Sequence, residues 1–162
     1  MLAVTTIHTP WLPLTVIADE DCVVSSWFGE HSHHPINLVT PIGKVRRIDG
    51  VSDAVAAWLD GDLSSLDQVK VRQHGGPFFE QVWTVMREVP AGETVTYGEL
   101  AMLSGRPRAS RAVGTACATN SVAPFVPCHR VVPTGGGIGA YGYGVAVKEA
   151  LLRHEGAISS AR

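Results

Sequence analysis

Val126-Pro-Cys-His-Arg-Val-Val132 sets a thiol, an imidazole and a guanidinium side by side between apolar residues. A cysteine is a useful nucleophile only as its thiolate, and a nearby imidazole or cation lowers its pKa from about 8.5. Cys128, His129 and Arg130 supply both influences within three positions. Adjacent side chains seldom point at each other, so proton transfer from Cys128 to His129 calls for a bridging water. His129 in turn needs an acceptor to orient it. Glu155 is the candidate, as one of only two acidic residues beyond position 99. The competing reading of Cys128 is a small buried hydrophobe, the usual fate of a lone cysteine. The contiguous Cys-His-Arg and the glycine-rich stretch after it favour the reactive one.

Other potential ligands and nucleophiles carry less. Cys117 has no basic neighbour in sequence and reads as a packing residue, as does Cys22. His31, His33 and His34 follow Cys22, but neither CxxC nor HxxxH spacing is present, so no metal site is expected. Pro133–Gly144 holds six glycines in twelve residues. It lacks the strand–turn–helix setting of a dinucleotide site. Glycine and tyrosine there suit a loop that wraps a flat aromatic ligand by backbone groups and stacking, with a flexible surface loop as the alternative.

Two sets of elements must position these residues. Residues 3–8 and 12–18 flank a turn at Thr9–Pro13 and predict a hairpin, with Cys22–Phe28 as a third strand. Residues 29–50 suit a loop with one more short strand, and Ser52 is placed to cap a helix over Ser52–Leu59. A polar connection, Lys70–Gly76, predicts a boundary between domains at 1–75 and 76–162. Beyond it, Pro77–Val89 places Phe79, Val82, Trp83 and Met86 on one helical face, and Pro90-Ala-Gly92 ends it. Thr96-Tyr-Gly-Glu99 has the form of a capping box and opens a short helix to Leu103. After Ser104-Gly-Arg-Pro107, a second helix runs over about Arg108–Ala118 and stops near Asn120. Short helix, glycine-containing turn and second helix form the pattern of a helix-turn-helix.

That second helix carries little side-chain bulk: Ala109, Ser110, Ala112, Gly114, Thr115 and Ala116 surround one long side chain, Arg111. A major-groove reader would project Asn, Gln, Arg or Lys at base edges. So slim a helix fits either a narrow minor groove or close packing inside its own domain.

The chain has 162 residues, 45% hydrophobic and 17% charged, enough to bury a core in one domain or two small ones. Its net charge of −2 gives no global sign of a nucleic-acid partner. The average hides a division, with five basic against nine acidic residues in 1–75 and eight against six in 76–162. From Leu100 to Lys148 there is no Asp or Glu, while Arg106, Arg108, Arg111, Arg130 and Lys148 all fall there. Such a stretch attracts phosphate locally or is simply a solvated basic surface. Three cysteines argue against a disulfide framework and for a reducing compartment. The N-terminus has no basic region ahead of its apolar residues, and no apolar run approaches the roughly 18 residues of a membrane span. A soluble, cytoplasmic protein is expected.

Taken together, PCHRVV, the preceding Arg-Ala-Val-Gly…Asn, Thr-Tyr-Gly-Glu-Leu-Ala and Ala-Val-Lys-Glu-Ala-Leu-Leu-Arg-His-Glu-Gly resemble the O6-alkylguanine-DNA alkyltransferases, in the same order from about Phe79 to Gly156. The N-terminal likeness, Thr-Pro-Trp-Leu-Pro-Leu-Thr-Val and the Trp58–Gly61 helix end, is weaker. The resemblance implies an α+β fold: a small N-terminal α/β domain of ribonuclease-H-like form, and a mostly helical DNA-binding domain with a helix-turn-helix. It implies that Cys128 accepts the alkyl group, with His129 as base through a water and Glu155 holding His129. Asn120 matches the residue linking recognition helix to active-site turn, and Arg111 the residue filling the place of the extruded nucleotide. Tyr97 matches the tyrosine that meets the rotated phosphate and protonates the departing guanine, with Thr96 beside it.

Ala109, Ser110, Ala112, Gly114 and Thr115 would then face the minor groove. The Cys128 and Val131 carbonyls would receive the base's amino group, with Tyr141, Gly142 and Tyr143 lining the pocket. Where members of the family often carry Ser-Gly-Gly after the loop tyrosine, this chain has Gly142, Tyr143 and Gly144, so Tyr143 adds bulk at the pocket rim. The ligand pattern for the zinc of some members is absent. The resemblance implies a stoichiometric reaction on alkylated double-stranded DNA by a monomer, with no cofactor, membrane or obligate protein partner. It leaves O4-alkylthymine open as a second lesion. Two other readings compete: a non-enzymatic lesion-binding protein, against which Cys128 argues, and a Cys–His hydrolase, which would turn over repeatedly.

Overall fold

The computed structural model describes residues 2–29 and 41–159. The three histidines 31, 33 and 34 lie outside the described residues. The architecture is mixed α+β, and the chain divides into two compact units. One comprises Met1–Gln73 together with Ser121–Phe125; the other comprises His74–Asn120 and Val126–Arg162.

In the first unit, β1 (Leu2–Ile7), β2 (Leu14–Asp19) and β3 (Cys22–Phe28) form an antiparallel meander. Its first turn is closed by Thr9, whose hydroxyl donates to the Leu12 carbonyl and accepts from the Trp11 amide. The expected hairpin and third strand are present, with β1 and β2 each displaced by about a residue from the anticipated ranges. Two short parallel strands, β4 (Ile42–Lys44) and β5 (Lys70–Val71), complete the sheet in the order β4-β1-β2-β3-β5. Helix α1 (Val51–Leu59) buries Val51, Val55 and Trp58. Its cap is Gly50, not Ser52. Gly50 takes a left-handed φ of 80°, its amide donates to Asp53, and the Ser52 hydroxyl instead accepts from the Ile48 amide at 2.9 Å. Ser121–Phe125 is held in this unit by Ser26, whose amide donates to the Ser121 carbonyl and whose hydroxyl donates to the Ala123 carbonyl.

The second unit contains α2 (Pro77–Met86), α3 (Tyr97–Leu103), α4 (Ser110–Ala118) and α5 (Val145–His154). Helix α2 stops three residues earlier than expected, the chain tightening into i→i+3 turns through Val89 before Pro90. Helix α4 begins at Ser110, because Arg106–Ala109 is a turn closed by the Ala109 amide on the Arg106 carbonyl. The capping box of α3 forms as expected, with Glu99 N–H on the Thr96 hydroxyl at 3.0 Å and Thr96 N–H on the Glu99 carboxylate at 3.1 Å. Trp83 of α2 donates its indole N–H to the Ala116 carbonyl at 2.9 Å and so fixes α4. A two-residue parallel ladder that the sequence did not announce, β6 (Val95–Thr96) with β7 (Val131–Val132), brings the start of α3 beside the end of the Cys-His-Arg segment.

Candidate active site

Cys128–Arg130 forms a single turn of 3-10 helix running directly into β7. All three residues are buried, His129 completely. The turn lets neighbours in sequence diverge: the Cys128 sulfur faces Asn120, while His129 and Arg130 both reach Glu155 at the C-cap of α5. Asn120 Nδ2 donates to the Val126 carbonyl at 2.8 Å and to Cys128 Sγ at 3.3 Å. It thereby ties the end of α4 to the approach of the Cys128 turn.

Glu155 accepts from His129 Nε2 at 2.8 Å and from Arg130 Nε and Nη2 at 2.9 and 2.7 Å. Burial alone would push its carboxyl upward, but the His129 imidazole and Arg130 guanidinium overcome this and hold it well below the usual carboxylate range. A carboxylate has no proton to give, so His129 Nε2 carries the hydrogen. The lone pair then sits on Nδ1, which is buried and has no hydrogen-bond partner among the described residues. Burial, with the Arg130 and Lys148 charges, lowers the His129 pKa against the opposing pull of Glu155. The imidazole is therefore neutral at physiological pH.

Burial raises the Cys128 thiol, opposed by the Asn120 hydrogen bond and the Lys148 charge. Arg130, anticipated from sequence as a cation beside the thiol, does not serve there. Its guanidinium is committed to Glu155 and, through Nη1, to the Val89 carbonyl at 2.7 Å. The cation that acts on the sulfur is Lys148, which sequence reading counted only as basic surface. It is fully buried on α5. Asn120→Ala therefore slows alkylation of Cys128 by iodoacetamide at pH 7 about tenfold, since a hydrogen bond to a charged acceptor is worth roughly 1.5–3 kcal/mol. A rate equal to wild type would show that Asn120 does not stabilise the thiolate.

The remaining candidates lie at the start of α3, on β7 and the loop after it, and on α4. Tyr97, half-buried at the start of α3, has its pKa raised by burial and by the Cys117 and Cys128 sulfurs. Tyr141 and Tyr143 pack edge to face at 5.3 Å, and the Tyr141 hydroxyl is buried without a partner. Gly142 between them is exposed. Val131 is buried, and its carbonyl already accepts from Lys148 Nζ at 2.7 Å. On α4, Ser110, Arg111 and Thr115 are exposed, Ala109, Ala112 and Gly114 half-buried, and Val113 and Ala116 buried. A Cβ at Gly114 would meet nothing within 4 Å, so internal packing does not require glycine there. Cys117 is more than half-buried, and burial raises its thiol far above the ordinary range. Among the described residues no group of three or more His, Cys, Asp or Glu is placed to hold a metal ion. No described helix is long and apolar enough to cross a membrane.

Residues 77–157 match the family model described as 6-O-methylguanine DNA methyltransferase, DNA binding domain. The chain is 36% identical over 159 residues to the methylated-DNA–protein-cysteine methyltransferase of Salmonella typhimurium, covering 93% of each. It is 39% identical over 160 residues to the protein of the same name from Shigella flexneri, again covering 93% of each. The Mycobacterium tuberculosis O6-methylguanine methyltransferase crystal structure superposes with a TM-score of 0.84 at 32% identity, over all of this chain and 97% of that one. Mycobacterium tuberculosis OGT in complex with DNA gives 0.81 at 32% identity, over 95% and 92%.

Proposed function

The chain belongs to the methylated-DNA–protein-cysteine methyltransferases, and from that premise we propose that Cys128 is its alkyl acceptor and that His129, Glu155, Asn120 and Tyr97 serve the transfer. The protein repairs DNA by taking the alkyl group from O6-alkylguanine onto itself. The observation that carries the residue assignment is the buried chain from Glu155 to His129 Nε2, with the free lone pair on Nδ1, beside a thiol that Asn120 holds.

His129 Nδ1 takes the Cys128 proton by way of a water molecule, and Glu155 stabilises the imidazolium that results. The thiolate attacks the alkyl carbon; a C–S bond forms as the C–O6 bond breaks, and the electron pair passes into the guanine. Tyr97, whose raised pKa keeps it protonated, supplies a proton to the leaving base. The product is a thioether that no simple hydrolysis reverses, so each molecule acts once. An O6-alkylguanine inside a duplex offers no in-line path to a buried sulfur, and the nucleotide must be flipped at a cost of a few kcal/mol.

Helices α3 and α4 with the turn between them act as a helix-turn-helix on alkylated duplex DNA, laid in the minor groove. Open space over Gly114 supports this over close packing as the reason for so slim a helix. Arg111, exposed in the first turn of α4, fills the gap left by the flipped nucleotide. Thr96, Ala109, Ser110, Ala112 and Thr115 line the DNA side. Tyr141, Gly142 and Tyr143 receive the base, with Val131 offering its carbonyl.

Incubation with a duplex carrying O6-methylguanine adds one methylene, about 14 Da, to the peptide containing Cys128, and the reaction stops at one equivalent. Repeated turnover would instead mark a hydrolase, and an unmodified peptide would remove Cys128 from the reaction. Arg111→Ala lowers transfer from duplex DNA by about tenfold or more while leaving transfer from free O6-methylguanine unchanged, because only the duplex has a stack to fill. Equal losses on both substrates would remove Arg111 from flipping.

A further inference from the structure

We propose that Lys148 is a positioning residue: it hangs the Pro133–Gly144 loop from the active-site strand β7 and so sets the shape of the pocket that receives the base. The inference rests on the reading that Tyr141, Tyr143 and the Val131 carbonyl contact that base.

Lys148 is wholly buried, yet among the described residues no carboxylate pairs with it. Its Nζ donates to two backbone carbonyls, Val131 at 2.7 Å on β7 and Ala140 at 3.2 Å near the far end of the loop. Nine positions apart in sequence, these carbonyls are drawn to one ammonium. Gly139 completes the closure. It adopts φ 81°, and a Cβ there would meet Pro133 Cδ at 2.8 Å and Lys148 Nζ at 3.4 Å. The backbone at 139 thus lies directly on Pro133 at the start of the same loop, where no side chain fits.

Tyr141 follows Ala140 immediately, so the residue Lys148 holds is the neighbour of the tyrosine whose hydroxyl is buried and unpartnered. Burying an ammonium against carbonyls alone is costly. An apolar side chain of the same length would fill the volume, but it would leave both carbonyls unpaired and the loop untied. The hydrogen bonds are what the lysine supplies there. A pocket loosened by about 1 Å loses transfer by about 10²-fold.

The test compares Lys148→Met and Gly139→Ala with wild type, measuring two rates on each. One is methyl transfer from a duplex containing O6-methylguanine, the other alkylation of Cys128 by iodoacetamide, which needs no base pocket. The readout is their ratio at about pH 7, in which the thiolate fraction cancels because both reactions consume the same sulfur anion. The expected result is a ratio about 10²-fold below wild type in both variants. Gly139→Ala keeps the lysine and its charge, and it decides the matter should Lys148→Met fail to fold. Equal slowing of both rates in Lys148→Met, which leaves the ratio at its wild-type value, would show that Lys148 acts on the thiol by charge and overturn the proposal. Wild-type ratios in both variants would overturn it as well. If the wild type itself transferred no methyl while iodoacetamide labelled Cys128, the failure would lie with the reading of the function.

Discussion

Cys128→Ser abolishes repair while leaving the fold and recognition of damaged DNA in place. The fall in transfer is at least about a thousandfold, the scale on which removal of a covalent nucleophile acts. Serine is nearly isosteric, and Asn120 Nδ2, 3.3 Å from the sulfur, can donate to its oxygen as it does to Sγ, so no cavity opens and no donor is orphaned. What disappears is an anion. Burial already pushes the thiol upward, opposed by the Asn120 hydrogen bond and the Lys148 charge. A hydroxyl starts far higher, and the same two influences cannot bring its alkoxide near neutrality.

Intact-mass analysis after incubation with methylated duplex checks the first half of this expectation: no peptide of the variant gains a methylene. A gel-shift titration against the same duplex checks the second, since DNA affinity should stay within about twofold of wild type if Cys128 makes no binding contact. Methyl gained by Cys22 or Cys117 in the variant would show that the acceptor was assigned to the wrong sulfur.

The parts of this site readable in the sequence are those in which chemistry and chain adjacency coincide. Cys128, His129 and Arg130 are contiguous, and the Thr96–Glu99 capping box is a local device that needs no tertiary partner. Glu155 was accessible through charge alone, because so few acids follow position 99. Residue types did not disclose where Arg130 would turn. A 3-10 turn sends its side chain to Glu155 and away from the sulfur, and that depends on where α5 ends.

Helix α5 itself has an ordinary buried stripe, Lys148, Leu151 and Leu152, at i, i+3 and i+4. Its first member is a lysine, so hydropathy reads that position as surface and the amphipathic pattern breaks at the point that matters most. The β6–β7 ladder escaped for a different reason. Two-residue strands carry almost no periodicity, and their pairing is set by the helices on either side. In the first unit the meander follows from alternation and turn chemistry. The assignment of Ser121–Phe125 to that unit depends on Ser26, a partner about a hundred residues away in sequence, and no local pattern announces it.

Glu155→Gln should cost about 3–5 kcal/mol of stability and lower alkyl transfer by about 10²-fold or more. The carboxylate accepts three hydrogen bonds from two buried partners. Glutamine keeps the shape but presents one oxygen and one NH2, so at least one of these donors faces another donor, and the Arg130 guanidinium stays buried with its charge uncompensated. A glutamine oxygen facing His129 still accepts from Nε2 but carries no charge to stabilise the imidazolium, and an NH2 facing it reverses the tautomer, so the rate falls in either orientation.

The pH dependence separates this effect from simple unfolding. In the native protein Glu155 is held below its ordinary pKa of 4.5, so on acidification the unfolded chain binds this proton first. Its contribution is complete above about pH 4.5 and drains away as the pH falls towards the native value. His129 is likewise held below 6.5, first by burial, so the unfolded imidazole protonates before the native one and stability also declines from about pH 6.5 downward. In Glu155→Gln the lower window vanishes with the carboxyl. The upper one widens, because Glu155 was the group opposing the depression of His129. Denaturant unfolding from pH 8 to pH 3 should therefore show a variant that is weaker throughout, loses stability more steeply between about pH 6.5 and 5, and falls less steeply than the wild type below about 4.5. Stability within about 1 kcal/mol of wild type at pH 7, or an unchanged slope below pH 4.5, would mean that the buried ion pair at Glu155 holds neither the fold nor the base in place.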